Sequence, residues 1–181
     1  MGRWDRTHDA LTRAASELFA EQGYAATGTA QIAARAGVSE MTLFRHFATK
    51  ESLLLTDPFD PLMAEAVRSR PADEPPMRAL AEGIRQTWAD IDPAATDALR
   101  GRLAIIAETP ELQGAIERTS QDTVTALIEA LSERGVPSAQ ARIAATAVIA
   151  GLSAALLDWA RSDRAGLDDV LGAALDVLGG A

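Results

Sequence analysis

A chain of 181 residues with a formal net charge of −9 and no cysteine is long enough to bury a substantial core, and it excludes a disulfide framework, a thiolate metal site and a cysteine nucleophile. Only His8 and His46 remain for metal or acid-base work; they fall in different expected helices with no carboxylate at ligand spacing, so neither a metal site nor a catalytic centre can be assembled. The acidity is uneven, since residues 1–55 carry six basic and six acidic side chains and the whole deficit lies in residues 56–181; a neutral face on an acidic body disfavours unspecific clinging to nucleic acid but permits a targeted contact.

Apolar residues recur at helical spacing almost throughout and no segment sustains a period of two, which gives an all-α chain of about nine helices. The opening MGRWDRTHDALTRAA has no apolar signal-peptide core. The longest apolar run, Ala147 to Leu157, is shorter than the roughly 20 residues that cross a bilayer, so the expected location is the cytoplasm with no membrane partner. A first helix is expected from about Trp4 to Gln22, with Leu11, Ala15, Leu18 and Phe19 on one face and Gly23 as its stop. A second runs from about Thr29 to Ala36 and ends at Gly37. Ser39 caps a two-turn third helix and Thr49 a fourth, before Asp57, Pro58 and Pro61 bend the chain ahead of LMAEAVRSR. Beyond the Pro-rich connector 70–76, helices are expected at about 76–90, 94–108, 110–133, 138–162 and 167–178. Pro93, Pro110, Gly135 with Pro137, and Gly166 mark the joints.

The stretch IAARAGVSEMTLFRHFATKES, Ile32 to Ser52, carries the most chemistry. On a helical wheel Leu43 and Phe47 share one face of the third helix and close a small core with Ile32, Ala36 and Val38, leaving Met41, Thr42 and Arg45 on the other, flanked by Phe44 and His46. Two short helices joined by a tight glycine turn, the second offering such a face, suit reading of the major groove. Arg45 has the donors for guanine, Glu40 an acceptor for cytosine and Met41 an apolar tip for thymine, while Thr42, His46 and Lys50 suit phosphates. Alternatives stay open: Phe44 serves equally as packing, Glu40 as a complement to the positive end of its helix, and His46 as a core-edge histidine. His8 reads as an exposed residue of the first helix, and Arg3 and Arg6 as an arm or a minor-groove contact.

The segment AASELFAEQGYAATGTAQIAARAGVSEMTLFRHFATKESLLL, Ala14 to Leu55, resembles the N-terminal domain of the tetracycline-repressor (TetR) family of bacterial transcriptional regulators, through ELFAEQGY, IAARAGVS, TLFRHF and KESLL at fixed offsets. The resemblance implies a helix-turn-helix DNA-binding domain over residues 1–48 and an effector-binding and dimerisation domain over 49–181. The DNA-binding residues it implies, together with those read above, are Thr27, Thr29, Ser39, Glu40, Met41, Thr42, Phe44, Arg45, His46 and Lys50. Two departures matter. Phe44 stands where the family usually has Tyr, so a phenol contact to phosphate is absent, and Gly28 stands where Ser or Thr is common, which hands that contact to Thr27 or Thr29.

The resemblance further implies a homodimer in which the last two long helices pair into a four-helix bundle, on a (pseudo)palindromic DNA operator. Ala144, Ala147, Gly151, Ala154, Trp159, Leu171 and Leu175 are the expected pairing residues, because small side chains let helices approach closely. An effector pocket is expected within the body, lined by Phe59, Met63, Met77, Ile84, Trp88, Leu103, Ile106 and Leu112, with Arg85 or Arg102 for an anionic group; such residues also serve as plain core. TDPFDPL, Thr56 to Leu62, is similar to a segment in family members that take acyl-coenzyme A-like ligands. The expected function is a ligand-responsive regulator, a repressor released by a small, largely apolar effector, with no cofactor, metal or catalysis. The rivals are a small helical ligand-binding protein or enzyme without DNA binding, and an adaptor whose acidic body binds protein.

Overall fold

The computed structural model of the chain describes residues 2–55, 60–89, 91–162 and 165–180, and it is helical in every element among them. In order these are α1 (Arg3–Gln22), α2 (Thr29–Arg35), α3 (Glu40–His46), α4 (Ser52–Leu55), α5 (Asp60–Arg68), α6 (Pro76–Trp88), α7 (Pro93–Glu108), α8 (Gln113–Glu133), α9 (Ser138–Ala160) and α10 (Leu167–Gly179), with a 3-10 turn at Pro110–Leu112 leading into α8. Two compact units divide the chain. The first takes residues 1–56 and 101–116 and the second 57–100 and 117–181, so the division falls within α7 and α8. The N-terminal unit therefore runs past the expected boundary at residue 48, because α4 packs on α1 and buries Leu53 and Leu54.

In the first unit, α1 ends where Gly23 adopts φ +83° and donates its N–H to Phe19 O at 2.9 Å, a backbone conformation that a side chain would strain. Gly37, also at positive φ (+71°), closes α2, and Val38 N–H returns to Ala33 O at 2.9 Å. Ser39 Oγ then accepts the Thr42 N–H at 3.1 Å, so the chain restarts as α3 at the expected cap. Leu11, Ala15, Leu18, Ile32, Leu43 and Phe47 form the buried interior that the wheel anticipates, while Ala36 and Val38 are half-buried at its margin.

The second unit is built around α6, which packs against α5, α9 and α10. Leu80 and Ile84 are fully buried on it. Close approach is bought with absent side chains: a Cβ on Gly83 would stand 2.8 Å from Val67 Cγ2, one on Gly179 2.9 Å from Ala81 Cβ, and one on Gly151 3.1 Å from a Leu178 methyl. Arg134 fastens the connector before α6 by donating to the carbonyls of Arg70, Pro71 and Glu74. Arg100 donates to Ser162 O and Ala165 O and lies over the Trp159 ring, 4.3 Å from its centroid. At 23 residues α9 is long and apolar enough to cross a bilayer, which the run 147–157 alone is not; in this fold Ala145, Val148, Leu152 and Trp159 bury one side of it. Gly83→Ala is expected to lower stability by about 1–3 kcal/mol despite alanine's better helix propensity, because the new methyl meets Val67 backbone as well as its side chain. Urea unfolding midpoints of the two proteins check it.

Candidate nucleic-acid interface

α3 is seven residues long, too short to hold helical structure by itself, and it is kept by Leu43 at 0% and Phe47 at 2% exposure on its inner side. Its outer side carries Met41 at 67% and Phe44 at 48% exposure, with Arg45 and Glu40 also exposed. Arg45 Nη2 rests 3.7 Å from Met41 Sδ, one turn back, so the guanidinium and the thioether form a single protruding edge. Thr42 is half-buried and its hydroxyl lies 2.9 Å from Ser39 Oγ, within the cap. Glu40 accepts a hydrogen bond from Thr29 Oγ1 at 2.5 Å, which joins the first turn of α3 to that of α2. Arg35 holds α2 to α1 through Glu21 at 2.9 Å and Glu17 at 3.3 Å, solvent-exposed pairs that contribute little to stability on their own.

Three expected phosphate contacts are engaged elsewhere. Thr27 is 2% exposed, and its hydroxyl donates inward to Gly23 O at 2.8 Å, so burial leaves it no path to a duplex. Lys50 Nζ donates to Tyr24 O at 2.7 Å and Thr27 O at 2.8 Å. Thr29 spends its hydroxyl on Glu40. His46 is half-buried at the end of α3, stacked on Trp4 with ring centroids 3.7 Å apart, and its Nδ1 is buried without a hydrogen-bond partner among the described residues. Burial in the first place, and then the neighbouring His8, hold its imidazole below the ordinary value. His8 is half-buried rather than exposed and stacks on Phe47 at 4.2 Å. Trp4 was missed as a component of this surface: it is 57% exposed beside the end of α3, and only the folded chain brings residue 4 to residue 46.

The expected effector and pairing residues are dispersed. Phe59 lies outside the described residues. Met63, Met77, Ile84, Arg85 and Trp88 fall in the second unit, whereas Arg102, Leu103, Ile106 and Leu112 fall in the first. Met63, Ile84, Ile106 and Leu112 are buried as core. Arg85 and Trp88 line a cleft of the second unit, of about 240 Å³, together with Ala89, Asp168, Leu171, Gly172 and Leu175. Arg85 there is paired with Asp176 at 2.7 Å and Glu82 at 3.6 Å. Ala144, Trp159, Leu171 and Leu175 are buried within this chain, and Gly151 is half-buried with the Leu178 side chain close against it. Ala147 and Ala154 are exposed, in register along α9 with Ile143 at 71% exposure and Ala150; on α10, Ala173 and Val177 are exposed too. Among the described residues no three His, Asp or Glu side chains gather as they would around a metal ion.

A glycine turn followed by a short supported helix with a cationic, polar and apolar outer edge is the geometry of a helix-turn-helix module. Residues 11–56 match the family described as bacterial regulatory proteins, tetR family, and residues 74–181 match the MftR C-terminal domain. The chain belongs to the TetR family of bacterial regulatory proteins, a family of transcriptional regulators rather than enzymes. It is similar to the HTH-type transcriptional regulator TcmR of Streptomyces glaucescens, 33% identical over 136 residues, which cover 71% of this chain but 60% of TcmR. MftR of Mycobacterium tuberculosis is 26% identical over 175 residues, covering 93% of this chain and 87% of MftR. The crystal structure of NalD, the secondary repressor of the MexAB-OprM multidrug efflux pump in Pseudomonas aeruginosa, superimposes with a TM-score of 0.57 at 25% identity, over 96% of this chain and 94% of NalD.

Because the folded His46 binds its proton less readily than an ordinary histidine of 6.5, its contribution to stability is complete above that pH and declines as the pH falls below it. The thermal midpoint is therefore expected to drop between pH 7.5 and pH 5.5, and His46→Leu to reduce that drop. Differential scanning calorimetry of both proteins across the range measures it.

Proposed function

We propose that this protein is a DNA-binding transcriptional repressor that acts as a cytoplasmic homodimer on a (pseudo)palindromic operator and is released by a small, largely apolar effector. The observation that carries the reading is the outer edge of α3, where Met41, Phe44 and Arg45 stand exposed on a helix whose inner face is locked by Leu43 and Phe47. Arg45 reads a guanine, with Met41 against a neighbouring thymine methyl and Glu40 held by Thr29 for a cytosine amine. One such helix makes few contacts, and two copies about 34–36 Å apart read successive half-sites on one face of the duplex. The pairing face is the exposed stripe Ile143, Ala147, Ala150 and Ala154 of α9 with Ala173 and Val177 of α10, a set of small and apolar residues that suits close helix packing across a two-fold axis.

The effector site is the cleft walled by Trp88, Leu171 and Leu175. Arg85 at its edge exchanges Asp176 or Glu82 for an anionic group on the ligand, which admits an acyl-coenzyme A-like molecule as one case. Coupling of about 1–3 kcal/mol between effector and operator changes operator affinity about 5–150-fold.

Selection of bound duplexes from a random pool tests the first claim. Arg45→Ala is expected to weaken the best duplex by about 1–3 kcal/mol and to remove preference at one symmetric base pair; a pool with no enriched sequence would sink the regulator reading. Ile143→Arg, which buries a charge only if that face pairs, is expected to turn a dimer into a monomer in sedimentation equilibrium. An unchanged mass would move the interface elsewhere.

A further inference from the structure

Lys50 is the chain's sole lysine and stands between α3 and α4, where a cation facing outward would meet a phosphate. In the structure it faces inward. Its ammonium donates to Tyr24 O at 2.7 Å and to Thr27 O at 2.8 Å, and its nitrogen lies 4.0 Å from the centroid of the Tyr24 ring. An ammonium has three N–H bonds; two are on carbonyls and the face of an aromatic ring occupies the neighbourhood of the third. The two carbonyls belong to the turn between α1 and α2. Charge-assisted bonds of this kind are stronger than neutral ones, so one side chain supplies donors that the irregular turn lacks.

That turn leads directly into α2, against which the reading helix α3 packs. Thr27 is pinned beneath it by its hydroxyl on Leu18 O and Gly23 O, and the Gln22 amide reaches Thr27 Oγ1 and Gln31 Oε1, whose oxygen also receives the Gly28 N–H at 2.8 Å. α2 begins two residues beyond Thr27, and Thr29 at its start holds the carboxylate of Glu40 on α3. We propose that Lys50 is a positioning residue for DNA recognition: it clamps the α1–α2 turn through Tyr24 O and Thr27 O, sets α2 and Glu40 for the groove, and makes no contact with phosphate itself. The inference rests on the regulator reading for its effect on DNA, but the clamp itself is a property of the free protein.

The two roles differ in salt dependence. A lysine that neutralises a phosphate contributes about −0.9 to the slope of log affinity against log salt, so one per protomer lost from a dimer makes the slope shallower by about 1.8. A positioning lysine changes affinity and leaves the slope alone. Lys50→Met keeps the apolar stem and removes the donors. The expected results are operator affinity lower by on the order of tenfold, an unchanged salt slope, and faster amide exchange over residues 25–32 of the DNA-free protein. A slope shallower by about 1.8, or unchanged exchange over that turn, overturns the proposal. Should wild-type protein bind no duplex, the regulator reading fails, and the exchange comparison alone still decides the clamp. Should Lys50→Met not fold, reductive dimethylation of the wild-type lysine replaces it, because it keeps the charge and leaves a single N–H. A clamp then loses affinity at constant slope, and a phosphate contact keeps its affinity.

Discussion

Burial of Leu43 and Phe47 in the interior that also holds Ile32 and Leu11 is the constraint on which the rest depends. Seven residues do not hold a helix in water, since nucleation is unfavourable and too few hydrogen bonds follow. What keeps α3 helical is apolar area removed from solvent on one side and a serine cap at its start. The same burial determines which side chains are left outside. Once Leu43 and Phe47 are inside, the helical repeat puts Met41, Phe44 and Arg45 at the edge, and no other choice of outward face is available.

Around that helix the unit is tied by polar bonds that serve geometry more than net stability. Thr29 with Glu40, Gln22 with Thr27 and Gln31, and Lys50 with two carbonyls each tie the chain together across turns. Burial pushes the Tyr24 phenol well above its usual range, and the Glu51 carboxylate adds to it, so the ring stays neutral beside the Lys50 ammonium. The Glu51 carboxyl is held below its ordinary value by its own backbone and by Thr49. The second unit relies on a different device. At Gly83, Gly151 and Gly179 the missing side chain is what admits Val67, Leu178 and Ala81, so helix separation there is determined by residues that contribute no side chain.

Much of this was legible in the chain before folding. Gly23, Gly37 and Ser39 announced two helix ends and a restart, because backbone conformation and capping are local and act on the residues that carry them. Leu43 and Phe47 announced their face by spacing alone. The Thr27 hydroxyl and the Lys50 ammonium both turn toward carbonyls here, which sequence does not announce, because it does not say which acceptor lies nearer. α9 is the clearest case of illegible patterning. It is apolar on nearly every side, so its pattern could not separate Ala144 and Trp159, which lie in the interior, from Ile143 and Ala150, which remain outside.

The sequence by itself determined the all-helical class, the helix joints and the presence of one short helix with a distinctive outer edge, for each of these follows from interactions within a few residues of chain. Only the tertiary structure decided which polar groups are consumed internally, that Trp4 lies on His46, and which stripe of α9 is free. The reason is reach: a side chain's partner is whatever the fold brings within about 3 Å, and residues 4 and 46, or 24 and 50, are brought together by packing that no local pattern encodes.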